Sequence, residues 1–227
     1  MEHKVLIIQP FIPHYRSDFF IELSKKISFD LVTINKPDLV EGFELSEKVK
    51  YKHIKTYKFG KLKFFNPFSK NILKYQTIII SWSPNWISMY ILILFKRVLS
   101  LNIVIWTHGI SIKRDFNPKK VRDIIKIFFF NRADGICFYT RDGLERLRLF
   151  LSQPKLFYIN NTLNVEKIQS IKSSLISNPD ELKNKYGIKA SRVIIYCARF
   201  IEFRRIDILV DFIKNSTSDD FHFIIIG

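Results

Sequence analysis

Three side chains that could bind an anion or hold a proton follow two of the apolar runs of this sequence. His14 and Arg16 come shortly after the first run, and His108 follows a run that ends in Trp-Thr. A guanidinium binds phosphate and carboxylate groups through paired N–H donors, and an imidazole titrates near neutral pH. Gly109 lets a ligand approach the backbone beside His108. The alternatives are a surface arginine beside a proline-shaped turn and a structural histidine.

A further pair of arginines, Arg199 and Arg204, lies between a predicted strand and a predicted helix. Two guanidinium groups beside a helix N-terminus suit a diphosphate, since each presents a planar fork of donors and the helix dipole adds to them. We predict that this pair binds a diphosphate. A fourth segment, residues 158–164, is a strand exit rich in turn formers, and its alternative interpretation is a simple Asx-turn.

Several catalytic motifs are missing from the sequence. It contains no G-x-x-x-x-G-K-[ST], G-x-G-x-x-G, G-x-S-x-G or paired Cys-x-x-Cys pattern. This weighs against nucleotide hydrolysis, dinucleotide redox chemistry, triad hydrolysis and a cysteine-based zinc site. The five histidines show no metal-ligand spacing. We therefore predict neither a metal nor a cofactor.

The elements that must position these side chains alternate between apolar strands and amphipathic helices, which predicts an α/β fold with a parallel sheet covered on both faces. A buried helix is predicted over residues 86–98, and another helix is predicted to begin at Asn117-Pro118 and to carry one apolar stripe. The stripe consists of Val121, Ile124, Ile125, Phe128 and Phe129. Strands are predicted at residues 4–9, 27–34, 49–65 (one or two, turning at Gly60), 77–80, 101–106, 135–139, 155–159, 193–198 and 221–226.

The chain has 227 residues, enough for one large domain or for one domain and part of another. The sequence becomes more polar after Asn164, where we place the domain boundary. We predict a first domain over residues 1–164, a linker and helix over 165–190 that Asn178-Pro179 starts and Gly187 ends, and the start of a second domain over 191–227. Two or three strands cannot enclose a core, so we expect the second domain to be incomplete.

The chain is strongly basic. It has 37 Lys and Arg against 21 Asp and Glu, a formal net charge of +16, which favours an anionic partner. Residues 48–74 hold nine lysines and no acidic residue, interleaved with aromatic residues. Such a segment could lie on anionic lipid headgroups, or it could be a solvated strand pair whose lysines protect a sheet edge. No recognised motif supports nucleic-acid binding, so we expect no nucleic-acid partner.

The sequence favours a reducing, cytoplasmic location. Cys137 and Cys197 each lie in an apolar run, where a thiol usually acts as a small core side chain. The N-terminus lacks the pattern of a signal peptide. Residues 75–95 are uncharged, but Ser-Pro-Asn at 83–85 interrupts them, so we expect a strand and a helix instead of a membrane span.

Taken in order, several segments resemble the family 4 glycosyltransferases, which are retaining enzymes with the two-domain GT-B fold. Residues 10–20 are similar to the opening strand, loop and helix of that family, and His108-Gly109 lies where its active-site histidine follows a strand. The other similar segments are residues 132–135 (R-A-D-G), 159–164 with Asn161, and 196–200 followed by Arg204, Arg205 and Asp207. The chain departs from the family pattern at three of these positions, with Ala198 for Gly, Arg204 for Lys and Arg205 for Gly.

This resemblance implies a GT-B-like fold, in which a Rossmann-like parallel-sheet domain is followed by a second, here incomplete, Rossmann-like domain. It also implies transfer of a hexose from a nucleoside-diphosphate sugar, a co-substrate, to a glycan or lipid-linked acceptor of the cell envelope. His108 would then be catalytic, Arg199 and Arg204 would bind the donor diphosphate, and Arg16 and His14 would bind the acceptor. The family's E-x7-E segment would lie beyond residue 227, so we expect a truncated enzyme with little activity by itself.

A second hypothesis is a non-catalytic domain derived from such an enzyme, which binds polyanions or a membrane surface through the basic aromatic segment. Under either hypothesis we expect a cytoplasmic protein that contacts the inner face of the cell membrane. Binding of a nucleotide sugar distinguishes the two, because only the first requires it.

Overall fold

The computed structural model describes the chain in eight stretches separated by short gaps. These stretches are residues 4–35, 51–110, 116–152, 154–160, 163–175, 178–198, 200–216 and 220–227. The chain divides into two compact units, Met1–Asn164 and Val165–Gly227.

The first unit is built on a seven-stranded sheet in which all neighbouring strands are parallel. The strands of this unit are β1 (Val5–Gln9), β2 (Phe29–Thr33), β3 (Tyr51–His53), β4 (Tyr57–Phe59), β5 (Leu62–Phe64), β6 (Thr77–Ser81), β7 (Asn102–Thr107), β8 (Gly135–Phe138) and β9 (Lys155–Tyr158). Their order in the sheet is β3-β2-β1-β6-β7-β8-β9, and β4 and β5 form a separate antiparallel hairpin that turns at Gly60, as predicted.

Helices cover both faces of this sheet. They are α1 (Ser17–Ser24), α2 (Lys70–Leu73), α3 (Ile87–Phe95), α4 (Val121–Phe130) and α5 (Arg141–Arg148). Successive side chains of a strand point to opposite faces, so Ile7 of β1 packs with Phe20 of α1, whereas Leu6 and Ile8 pack in the larger core with Met89 of α3. The α/β class and the Rossmann-like parallel sheet are therefore confirmed.

Residues 75–95 form a strand and a helix, as predicted, since they contain β6 and α3. In the stretches that the structure describes, no helix is both long enough and apolar enough to span a bilayer. The prediction that the helix after β6 is buried on most sides holds only for its first part. Leu94, Phe95 and Val98, at and beyond its end, are exposed.

The predicted start and the predicted apolar face of α4 were both wrong in part. It begins at Val121 instead of Asn117, because Asn117 forms a turn in which its side-chain oxygen accepts a hydrogen bond from the backbone N–H of Lys119. Four residues of the predicted stripe are exposed, namely Val121, Ile124, Ile125 and Phe128. The helix is instead fixed by the buried side chains of Asp123 and Phe130.

In its described residues, the second unit contains two parallel strands, three α-helices and the 3₁₀ helix Glu202–Arg204. The strands and α-helices are α6 (Val165–Ser174), α7 (Pro179–Lys185), β10 (Arg192–Cys197), α8 (Ile206–Asn215) and β11 (Phe221–Ile226). The predicted cap of α7 is confirmed, since the Asn178 side chain accepts a hydrogen bond of 3.0 Å from the backbone N–H of Asp180. None of its described residues is fully buried, and Cys197, predicted to be a core thiol, is exposed.

Candidate functional site

The sheet of the first unit reverses its direction of growth between β1 and β6. The chain places β2 and β3 on one side of β1, and β6 to β9 on the other. Open parallel sheets bind ligands outside the carboxyl ends of the strands at such a switch point. Gln9 and Ser81 end these two strands, and the Ser81 hydroxyl donates a hydrogen bond of 2.9 Å to the Gln9 side-chain oxygen.

Arg16 lies at this edge and is buried, so the alternative of a surface arginine is wrong. It ends the 3₁₀ helix His14–Arg16 and is only 9% exposed. Its guanidinium carbon is 4.7 Å from the ring centroid of Tyr139 and 5.3 Å from that of Trp106, and Nη1 donates a long hydrogen bond of 3.4 Å to Gln9 Oε1. Cation–π contacts and a buried polar partner hold this positive charge at the strand ends.

His108 follows β7 and packs against the same Tyr139 ring. The two ring centroids are 4.3 Å apart, and the residue as a whole remains exposed. The structure thus brings together two of the predicted site residues, Arg16 and His108, on one aromatic ring. Tyr139 was not predicted as a site residue, although its position as the last residue of a predicted strand was the available signal.

Two glycines, Gly109 and Gly143, allow the loop of His108 to pack closely against its neighbours. Gly109 has a φ of +75°, and a Cβ atom there would lie 2.9 Å from the ring of Phe138. Gly143, in the first turn of α5, approaches the loop so closely that a Cβ atom would lie 2.7 Å from the His108 carbonyl oxygen. A side chain at either position would therefore displace the His108 backbone.

Partial burial lowers the pKa of His108 below its ordinary value, and the positive charge of Arg16 lowers it further. The imidazole is therefore neutral at pH 7, with one nitrogen able to donate a hydrogen bond and the other able to accept one. Burial also raises the pKa of Tyr139, an effect that the charge and hydrogen bond of Arg16 oppose.

We expect Arg16→Gln to raise the pKa of His108 without restoring its ordinary value. The substitution removes the neighbouring positive charge but leaves burial, which is the larger cause of the lowering. The measurement is an NMR titration of the His108 ring protons in the wild type and the variant, assigned with His108→Ala. A pKa of His108 that stays the same or falls in the variant would contradict this arrangement.

An open pocket of about 750 Å³ lies beside His108. Its walls are mostly apolar and aromatic, and its polar lining includes Thr107, His108, Arg122, Asp123 and Lys126. The apolar walls come from the ends of β6 and β7 and from α3, α4 and the segment before α4, namely Trp82, Pro84, Tyr90, Ile110, Phe116, Val121 and Ile125. A volume of this size accommodates a sugar or a comparable organic group.

Polar side chains of α4 form one side of the pocket. The sequence analysis predicted the helix but none of these side chains as site residues. Lys126 donates a hydrogen bond of 2.8 Å to the carbonyl oxygen of Gly109, and burial lowers the pKa of Lys126 below its ordinary value. Asp123 is buried beside Arg122, with 3.0 Å between Oδ2 and the guanidinium Nη2, and accepts a hydrogen bond from the backbone N–H of Asn117. The hydrogen bonds from Arg122 and Asn117 hold the pKa of Asp123 below its usual range although burial opposes them.

The structure does not bring the remaining predicted site residues to the Tyr139 ring. Arg199 and Asn161 lie outside the described residues, and so does the side chain of His14. Arg204 is exposed in the second unit, and its carbonyl oxygen accepts a hydrogen bond of 3.1 Å from the hydroxyl of Tyr196. Within the described stretches, no group of three His, Cys, Asp or Glu side chains is placed to hold a metal ion.

Arg205 has a left-handed backbone, with a φ of +52°, at a position where the resembled family has glycine. Its guanidinium is paired with Asp207, with 2.8 Å between Nη2 and Oδ2. The loop before α8 therefore keeps a backbone shape that glycine adopts most easily.

Comparison with protein-family models gives no match, and comparison with curated protein sequences gives none either. Among solved structures, the chain is similar to a sucrose-phosphate synthase from Thermosynechococcus elongatus, with a sequence identity of 14% and a TM-score of 0.43. The match covers 82% of this chain and 99% of the other. A similarity at this level carries no inference about activity.

Proposed function

We propose that this protein is a glycosyltransferase of the GT-B kind that moves a sugar from a nucleoside-diphosphate sugar to a glycan or lipid-linked acceptor. The observation that carries the proposal is the convergence of Arg16 and His108 on Tyr139 at the carboxyl edge of the sheet, beside an open pocket. A fixed cation next to a neutral imidazole suits a substrate that has both anionic and hydroxyl groups. The segments similar to family 4, which follow one another in the family's order along the chain, support the same reaction.

In this proposal each predicted residue has one role. His108 faces the donor sugar and orients it through hydrogen bonds to its hydroxyl groups. Arg16 binds an anionic group of the acceptor, and His14 binds the acceptor from the same 3₁₀ helix. The apolar walls of the pocket would hold the acceptor's aglycone or the apolar face of a sugar ring.

The transfer step exchanges one glycosidic bond for another with retention of configuration. The bond between the anomeric carbon and the diphosphate oxygen breaks, and its electron pair leaves with the diphosphate. An acceptor hydroxyl oxygen forms the new bond on the same face, and its proton goes to the departing diphosphate. Arg199 and Arg204 stabilise the negative charge that develops there, as preorganised donors do. We expect the enzyme to use no metal and no cofactor, and to work in the cytoplasm.

Donor binding tests the diphosphate assignment. We expect Arg204→Ala to weaken the binding of nucleoside-diphosphate sugars by about tenfold or more, since a charged hydrogen bond contributes about 1.5–3 kcal/mol. The measurement is titration calorimetry with a panel of such donors, on the whole protein. Arg192→Ala is the matched control, since Arg192 is an exposed arginine at the start of β10. Equal donor affinity in the wild type and Arg204→Ala would show that this residue does not bind the donor.

Contact with the donor sugar tests the assignment of His108. In a saturation-transfer NMR experiment, we expect His108→Ala to reduce the signal of the sugar-ring protons selectively and to leave the nucleoside protons unchanged. His53→Ala should change neither. If no donor of the panel binds the wild-type protein, the glycosyltransferase proposal fails, and the non-catalytic hypothesis is favoured.

A further inference from the structure

The β4–β5 hairpin carries its apolar side chains on one face, and three of these four side chains are exposed. Tyr57 pairs with Phe64 and Phe59 pairs with Leu62, with a lysine pair between them. Directly opposite residues of antiparallel strands share a face, and successive residues alternate, so the two apolar pairs lie together and the lysines lie opposite. Tyr57, Phe59 and Leu62 are 46%, 65% and 43% exposed. We call these three residues the hairpin surface.

The hairpin is held firmly by hydrogen bonds, although three of the side chains on its apolar face are exposed. The backbone N–H of Lys63 donates a hydrogen bond of 2.8 Å to the Asn85 carbonyl, and its ammonium donates one of 2.6 Å to the Asn35 side chain. Phe65, the next residue after β5, is fully buried. An isolated two-stranded hairpin is marginally stable in water. These anchors therefore stabilise the hairpin and keep the hairpin surface exposed.

The stretch of chain that forms the hairpin surface carries charge of one sign. Residues 48–74 contain nine lysines and no acidic residue, and the next acidic residue along the chain is Asp115. Lys55, Lys58 and Lys61, on and beside the hairpin, are all exposed. The surface therefore combines outward apolar side chains with uniform positive charge.

The same acid-free segment exposes a second apolar group at the end of α3. The ring of Phe68 contacts that of Phe95, with centroids 6.0 Å apart, and both side chains are exposed. Leu94 and Val98 beside them are exposed as well. Both of these exposed apolar groups thus lie within residues 48–114, which contain no acidic residue.

We propose that the hairpin surface binds the surface of an anionic lipid bilayer. Aromatic side chains settle at the interface between headgroups and acyl chains, and lysines near an anionic bilayer add about fivefold each to binding. The aliphatic side chain of Leu62 favours a bilayer over nucleic acid, since an aliphatic side chain does not stack on bases. The surface shares no residue with the Arg16 and His108 site, so this proposal does not rest on the glycosyltransferase proposal.

Flotation of the whole protein with lipid vesicles tests the proposal. We expect the protein to float with vesicles of mixed phosphatidylcholine and phosphatidylglycerol, and not with pure phosphatidylcholine. Phe59→Ser with Leu62→Ser should lower the partition coefficient by about tenfold or more, because both apolar contacts are lost. Leu149→Ser with Phe157→Ser is the matched control, since both of these side chains are exposed elsewhere on the unit.

Charge reversal provides the second arm. Lys58→Glu with Lys61→Glu should lower partitioning by about tenfold or more, whereas Lys25→Glu with Lys26→Glu, the same charge change at the end of α1, should have a smaller effect. The proposal fails if the wild-type protein does not float with anionic vesicles. It also fails if only the lysine variant loses binding, because the surface would then bind polyanions such as nucleic acid by charge alone.

Discussion

Replacing Phe130 with alanine is expected to lower the free energy of unfolding of the first unit by about 3–5 kcal/mol. Phe130 ends α4, is fully buried, and packs edge-to-face on Trp82 with centroids 4.7 Å apart. The substitution removes the apolar contacts of the ring and leaves a cavity that the parallel sheet beneath cannot fill. Trp82 lines the pocket beside His108, so the pocket should also become less ordered.

The measurement is urea unfolding followed by tryptophan fluorescence. All three tryptophans, Trp82, Trp86 and Trp106, belong to the first unit, so the signal reports on that unit. Phe128→Ala is the matched control, because it makes the same change on the same helix at an exposed position. Phe128 loses a cation–π contact with Arg132, so we expect a cost of about 1 kcal/mol or less. Equal costs for Phe128→Ala and Phe130→Ala would contradict the orientation of α4.

Gly109→Ala is expected to destabilise the first unit by about 2–5 kcal/mol. The backbone of Gly109 is left-handed, which costs about 1–2 kcal/mol for a residue with a Cβ atom. The added methyl group would also lie 2.9 Å from the buried ring of Phe138, and such overpacking costs about 1–3 kcal/mol more. Relief of the clash would shift the loop that carries His108.

Gly60→Ala separates the cost of a left-handed backbone from the cost of the steric clash. Gly60 has a φ of +58°, and a Cβ atom there would meet no atom within 4 Å. This variant should therefore show the backbone cost alone, and the difference between the two variants is the cost of the clash with Phe138. The same unfolding experiment measures both. If the two variants are equally stable, the loop of His108 does not pack on β8 as described.

Local patterns in the sequence predicted most of the elements, although the Asn117-Pro118 pattern placed the start of α4 too early. Continuous apolar runs separated by helical segments predicted the parallel sheet, and Asn178-Pro179 predicted the cap of α7. The turn of the β4–β5 hairpin at Gly60 followed from the conformational freedom of glycine. The strand end before His108 was predictable for the same reason, since an apolar run stops at a glycine-containing turn.

The placement of side chains around the site could not be predicted from such patterns. Arg16 lies buried on Tyr139, a residue more than a hundred positions away in the chain, because β1 and β8 belong to one sheet. Lys126 reaches the loop of His108 only because α4 packs beside the end of β7. These contacts depend on strand order, which no single segment specifies.

The sequence by itself therefore determined the class of fold, the order of its elements and the residue types at the strand ends. The tertiary structure alone decided that Arg16 and His108 meet on one ring, and that most of the apolar stripe of α4 is exposed while Asp123 and Phe130 are buried. The physical reason is that periodicity and capping act over a few residues, whereas the direction a side chain faces is set by long-range packing of strands and helices.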